Sequence, residues 1–162
     1  MVKPIWIVSI AAVLVAGLVA AGCGSSSSSS STSTVAITKA AFLKQGNAIC
    51  KKGNQEINAE GKKVFPRNKF SKNKKPTQAQ MTQFATATLI PTIQTEISGV
   101  KALGAPKGDE AQVNAIVVSA QSALDKGKQN PTLLVSNNTN LFKHSNQLTN
   151  AYGLTACGGG GG

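Results

Sequence analysis

Thr38-Lys39-Ala40-Ala41-Phe42-Leu43-Lys44-Gln45-Gly46-Asn47-Ala48-Ile49-Cys50 decides the fold class. Thr38 suits a helix N-cap, because its hydroxyl oxygen can accept a free N–H of the first turn. Ile37 before it and Phe42 at the fourth helical position fit a hydrophobic staple. Apolar or small residues continue at Gly46, Ile49, Gly53, Ile57 and Val64, one face of a helix. Cys50 stands beside Ile49 at the edge of that stripe. Each glycine in a helix costs about 1 kcal/mol against Ala, so Gly46 and Gly53 are expected to mark close helix contacts. Lys44, Lys51, Lys52, Glu56 and Glu60 fall on the other side, as a solvated face.

Downstream, the same period recurs. Thr77 and Gln80 have capping-box spacing. Met81, Phe84, Thr88, Leu89, Ile93, Ile97, Val100 and Leu103 extend a second helix. Pro91 lies inside it, which predicts a kink or a split near Ile90. Gly104-Ala105-Pro106 ends that segment. Asp109 is the expected cap of a third helix with Val113, Ile116, Val117, Ala120 and Leu124 inward, closed by Gly127 and Asn130-Pro131. A fourth helix, capped by Asn130 with Pro131 at its first position, carries the stripe Leu134, Asn138, Leu141, Ser145, Leu148, Tyr152. Gly153 fits the residue just past its end, with Leu154 beyond it for a Schellman contact. No strand pattern emerges. The expected fold is all-α: a small four-helix bundle.

Upstream, Met1 to Lys3 is a short basic segment and Ile5 to Val19 an apolar run, short for a membrane span of roughly 20 residues. Val19-Ala20-Ala21-Gly22-Cys23 closes it and resembles the lipobox of bacterial lipoproteins, with Ala20 where Leu is usual. The resemblance implies that Cys23 is lipidated, that residues 1–22 are cut away as a signal peptide, and that acyl chains such as palmitate hold the protein on the membrane. Two or more chains anchor stably where one binds only marginally. An ordinary signal peptide, or an uncleaved anchor, is the alternative. Residues 23–36 then form a Ser/Thr-rich tether, spanning roughly 17–20 Å as a flexible coil. Residues 37–157 form the helical domain and 158–162 a flexible glycine tail.

Cleavage before Cys23 leaves 140 residues, enough for one domain, with 16 Lys and Arg against six Asp and Glu. With Cys23 taken by lipid, Cys50 and Cys157 remain. An oxidising compartment makes a disulfide the natural reading, closing a loop of about 108 residues; two free thiols are the alternative. Such a bridge contributes at most about 4.7 kcal/mol in the chain-entropy model.

Two stretches also resemble, taken together, small exported helical proteins of actinobacteria, often lipoproteins. They are Ala41-Phe42-Leu43-Lys44-Gln45-Gly46-Asn47-Ala48-Ile49-Cys50 and Ala151-Tyr152-Gly153-Leu154-Thr155-Ala156-Cys157-Gly158. The resemblance implies no activity and no catalytic residues.

The most charged segment, read as a loop over 62–75, holds Lys62, Lys63, Arg67, Lys69, Lys72, Lys74 and Lys75 with no acid. Its two readings are a solvated loop and an electrostatic foot on anionic lipid headgroups or wall polymer. The foot would be worth about 1 kcal/mol per basic residue. Phe65 and Phe70 among the cations also suit single-stranded nucleic acid, which an export signal argues against. Chemistry is sparse. His144 stands alone, no Gly-x-Ser-x-Gly elbow occurs, and no Cys/His/Asp group has metal spacing. No cofactor, metal or nucleic-acid partner is expected, and no enzymatic activity. The expected function is a non-catalytic binding or structural role at the cell envelope. The alternative is a solute-binding or sensory bundle holding an apolar ligand between helices.

Overall fold

In a computed structural model of the chain, residues 36–70, 73–136 and 140–159 are described. The signal peptide, Cys23, the tether to residue 35, Lys72, Asn138 and residues 160–162 lie outside the described residues. The fold is all-α, and among the described residues there is no extended strand.

Helix α1 spans Lys39–Val64. Thr38 caps it as expected, its Oγ1 accepting the Ala41 N–H at 3.2 Å. Phe42, Gly46, Cys50 and Gly53 form its buried line. Cys50 therefore sits at the centre of the stripe, 2% exposed, rather than at its edge, and Val64 at the far end is 43% exposed. The helix also runs three residues into the charge run, so Lys62 and Lys63 are helical rather than in a loop. Nothing stops it before Phe65, which precedes Pro66 and is forced out of helical backbone by the proline ring; Phe65 has φ −120° and ψ 60°.

Thr77 and Gln80 form the reciprocal capping box that opens α2, Gln78–Phe84: Gln80 Oε1 accepts the Thr77 N–H at 2.9 Å and Thr77 Oγ1 accepts the Gln80 N–H at 3.2 Å. A π-helical turn over Ala85–Leu89 follows, and α3 runs Ile90–Ala102 with Pro91 in its first turn. The split expected near Ile90 thus takes the form of a widened turn, in which the Ile90 N–H reaches back to Ala85 O. Widening makes room for a ring that would otherwise meet a carbonyl of the preceding turn. The Thr86 hydroxyl donates to Thr82 O at 3.2 Å and Gln83 O at 3.0 Å, and Thr95 donates to Pro91 O at 2.9 Å.

Helix α4 spans Glu110–Gln129 and buries Val113, Ile116, Ala123, Leu124 and Gly127. It passes through Gly127 instead of stopping there. That glycine receives Leu134, whose Cδ2 would lie 2.8 Å from any Cβ at the position. Asp109 holds the cap position, but its side chain makes no cap bond. It accepts the Tyr152 hydroxyl at 2.8 Å and pairs with Lys39 at 3.3 Å.

The single fourth helix is corrected. It is two pieces: α5, Thr132–Val135, and α6, Lys143–Tyr152. Asn130 does open the first, its Oδ1 accepting from the Thr132 N–H at 3.3 Å. The run Ser136-Asn137-Asn138-Thr139-Asn140 separates the pieces. Such side chains compete for the backbone groups that a helix would use. At the end of α6, Gly153 adopts φ 104° and Leu154 N–H donates to Thr149 O at 2.8 Å, completing the Schellman turn.

The core gathers Phe42, Cys50, Val100, Val113, Ile116, Tyr152 and Leu154. Phe42 and Tyr152 meet edge to face at 5.9 Å. Cys50 and Cys157 are joined by a disulfide, Cα atoms 5.0 Å apart. Asn47 and Asn54, a turn either side of Cys50, hold the same exit segment. Asn47 donates to Gly153 O at 3.0 Å and accepts Ala156 N–H at 2.9 Å, and Asn54 donates to Ala156 O at 2.8 Å. Gly158, assigned to the tail from sequence, is buried, with the Asn150 side chain where a Cβ would stand.

Candidate functional site

The cationic segment has a fixed scaffold. Phe65 and Phe70 stack edge to face at 5.7 Å, and Phe65 meets Phe84 at 5.3 Å. Phe84 is buried, so the loop is nailed to the start of the π turn. Lys69 and Phe70 N–H groups both return to Pro66 O, at 2.9 and 3.2 Å. The two aromatic rings are half-buried, packed edge to face against one another. Lys62, Lys63, Arg67, Lys69, Lys74 and Lys75 are exposed. Lys63 is paired to Glu60 at 2.5 Å; no ion pair engages the other five among the described residues.

A second locus lies between α1, α3, α4 and α6. A cavity of about 70 Å³ is walled by Ile93, Ile97, Val100, Ile116 and Val117, with Glu96, Ser145, Asn146, Thr149 and the Cys50–Cys157 bridge completing it. Glu96 projects from α3 toward α1. A Cβ on Gly53 would overlap its carboxylate, so the glycine is what admits it. Glu96 Oε1 is sealed from water and has no hydrogen-bond partner. Burial, and secondarily the charge of Glu56, push the Glu96 carboxyl up to about 7.

Glu96 carries a signal in the sequence. Ile93, Glu96, Val100 and Leu103 share one helical face, so an acid stands on an otherwise apolar stripe. The pair Glu56 and Glu60 faces solvent, Glu60 bound to Lys63. His144 is exposed on α6 and takes no part in the cavity wall. Among the described residues no three His, Cys, Asp or Glu side chains gather as metal ligands, and no helix is long and apolar enough to cross a membrane.

At the far end of the core, Asp109 is held below the usual carboxylate range, first by the Tyr152 hydroxyl and then by Lys39. Lys39 Nζ also lies 4.3 Å from the centre of the Tyr152 ring. Burial, with Asp109 beside it, raises the tyrosine above its ordinary value. These three residues tie the starts of α1 and α4 to the end of α6. Comparison with known protein families, with curated proteins and with solved structures gave no match for this chain.

Proposed function

We propose that this chain is a lipid-anchored extracytoplasmic envelope protein with a non-catalytic binding role, and that its cationic segment contacts anionic lipid headgroups or wall polymer. The observation that carries this is the pinned cation cluster. Phe65 docks on Phe84 and Phe70 on Phe65, and Lys62, Arg67, Lys69, Lys74 and Lys75 are exposed with no ion pair among the described residues. A loop fixed in this way loses less conformational freedom on binding than a free one. The disulfide supports an oxidising location, and the lipobox reading of Cys23 supports the anchor. The bundle itself, which we take as a four-helix plan with its last helix interrupted, is the platform.

The test uses the mature chain from Gly24 onward, secreted without lipid. Its partition onto phosphatidylglycerol-containing vesicles and onto purified wall at low salt is compared with that of the Lys69→Ala, Lys74→Ala, Lys75→Ala triple variant. At about 1 kcal/mol per basic residue, partition drops by roughly 150-fold before screening. Equal partition of the two proteins would end the proposal. The cavity beside the disulfide, about 70 Å³, is far below the roughly 300–1,000 Å³ of ordinary ligand pockets, so a large apolar solute would not fit there.

A further inference from the structure

The cavity beside the disulfide has a consistent polar character. The Ser145 hydroxyl donates its hydrogen to Phe142 O at 3.0 Å, and the Thr149 hydroxyl to Asn146 O at 3.0 Å. Both oxygens therefore keep only lone pairs to offer. Glu96 adds a carboxylate to the wall; its Oε1 is sealed against Gly53 and has no hydrogen-bond partner. Asn146 brings an amide with both donor and acceptor, but Glu96, Ser145 and Thr149 add acceptors alone, so acceptors outnumber donors in a wall that is otherwise apolar. A carboxylate or phosphate ligand would meet like charge there. A ligand rich in donors would satisfy what the protein leaves open, because a buried acceptor without a partner is costly.

Charge points the same way. The chain carries 17 Lys and Arg against 6 Asp and Glu, yet none of the three ion pairs among the described residues involves Glu96. Gly53 makes the space for the carboxylate, and no cation of the protein enters it. Size is the third constraint. A cavity of about 150 Å³ accommodates benzene, and this one is about half that.

We infer that the cavity is a binding site for a small primary ammonium ion of about three or four non-hydrogen atoms, sized against a benzene-holding cavity, with its charge at Glu96 and its short hydrocarbon part against Ile97 and Val117. The ammonium supplies donors for Glu96, Ser145 and Thr149, and its alkyl part takes the aliphatic wall. Glu96 is the one titratable side chain in the wall, since the two cysteines are bonded to each other, and Glu56 of α1 is the neighbouring charge that reaches it. The ligand therefore competes with a proton: it binds when Glu96 is ionised, above about 7, and is released as the pH falls. For four heavy atoms the best attainable ligand efficiency limits the dissociation constant to no tighter than about 40 μM, and a millimolar value is the realistic expectation.

The experiment is an amide-shift titration of the mature chain with propylammonium chloride, against 1-propanol as a neutral ligand of the same length and sodium chloride at equal ionic strength. At about pH 8, where the carboxyl is ionised, propylammonium should give saturable shifts at Ile97, Val117 and Thr149. Affinity should fall at least tenfold in Glu96→Gln, at least tenfold at about pH 5 where the carboxyl holds its proton, and propanol should bind at least tenfold more weakly. Shifts that do not saturate, that propanol reproduces, or that persist unchanged in Glu96→Gln or at the acid pH overturn the site. If Glu96→Gln fails to fold, the pH and propanol arms on the unaltered protein still decide.

Discussion

Replacing Glu96 by Gln should remove a pH-dependent loss of stability. The amide matches the carboxyl in volume, so packing around Gly53 is kept, but nothing titrates. A folded carboxyl that holds its proton more tightly than the unfolded one stabilises the fold fully below the unfolded value of 4.5. That contribution drains away as the pH rises through about 7. Carrying the carboxyl from 4.5 to about 7 corresponds to at most about 3.4 kcal/mol. Part of the side chain still touches water, and screening cuts the usable effect to about 1.5–2 kcal/mol. Urea unfolding of both proteins at about pH 5 and about pH 8 measures it. The native chain should lose about 1.5–2 kcal/mol more than the variant between those pH values. Asp109 does not confuse the comparison, since its carboxyl titrates below the range and is present in both proteins. An identical loss in the two proteins would refute the assignment of a strained, unpaired acid at position 96.

Reducing the Cys50–Cys157 bridge, or replacing both cysteines by Ser, should lower the unfolding free energy by about 2–5 kcal/mol; denaturant midpoints with and without reductant check this, and unchanged midpoints would mean that the bridge is dispensable. Gly53→Ala should cost about 1–3 kcal/mol, because its Cβ meets the Glu96 carboxylate. That cost should shrink in a Glu96→Ala background, a coupling that a double-mutant cycle reads directly. Tyr152→Phe removes the first cause of the depressed Asp109 carboxyl. Asp109 stabilises the fold above its unfolded value of 3.8, and that stability is lost as the pH falls below it. The Phe variant should be less stable near neutrality, and its unfolding midpoint should fall less steeply on acidification than that of the native chain.

The parts of this fold that were legible in the sequence are those governed by local rules. Thr38, the Thr77–Gln80 box and Gly153 each act within four residues of themselves, and each does in the structure what its chemistry implies. Pro91 announced a break but not its form, because whether a helix bends or widens depends on what packs beside it. The interrupted last helix was obscured by a stripe that ran on through Asn138. Periodicity registers which face a residue would occupy, not whether an asparagine-rich stretch will pay for being helical. The roles of Asn47 and Asn54 are not legible locally, because their partners lie 106 and 102 residues away. Glu96 stands out on its stripe, but its setting depends on a distant partner in the same way: Gly53 faces it from another helix.

The spacing of the cysteines has a consequence in time. A polypeptide delivered N-terminus first presents Cys50 when most of these helices have yet to follow, and Cys157 arrives 107 residues later. Throughout that interval the first thiol has no proper mate in its own chain downstream. The bond can close only after α1, α3 and α6 have come together around the emerging exit segment that Asn47 and Asn54 clasp. Oxidation therefore seals helices that have already met, and a product truncated anywhere before residue 157 is left with an open thiol at Cys50.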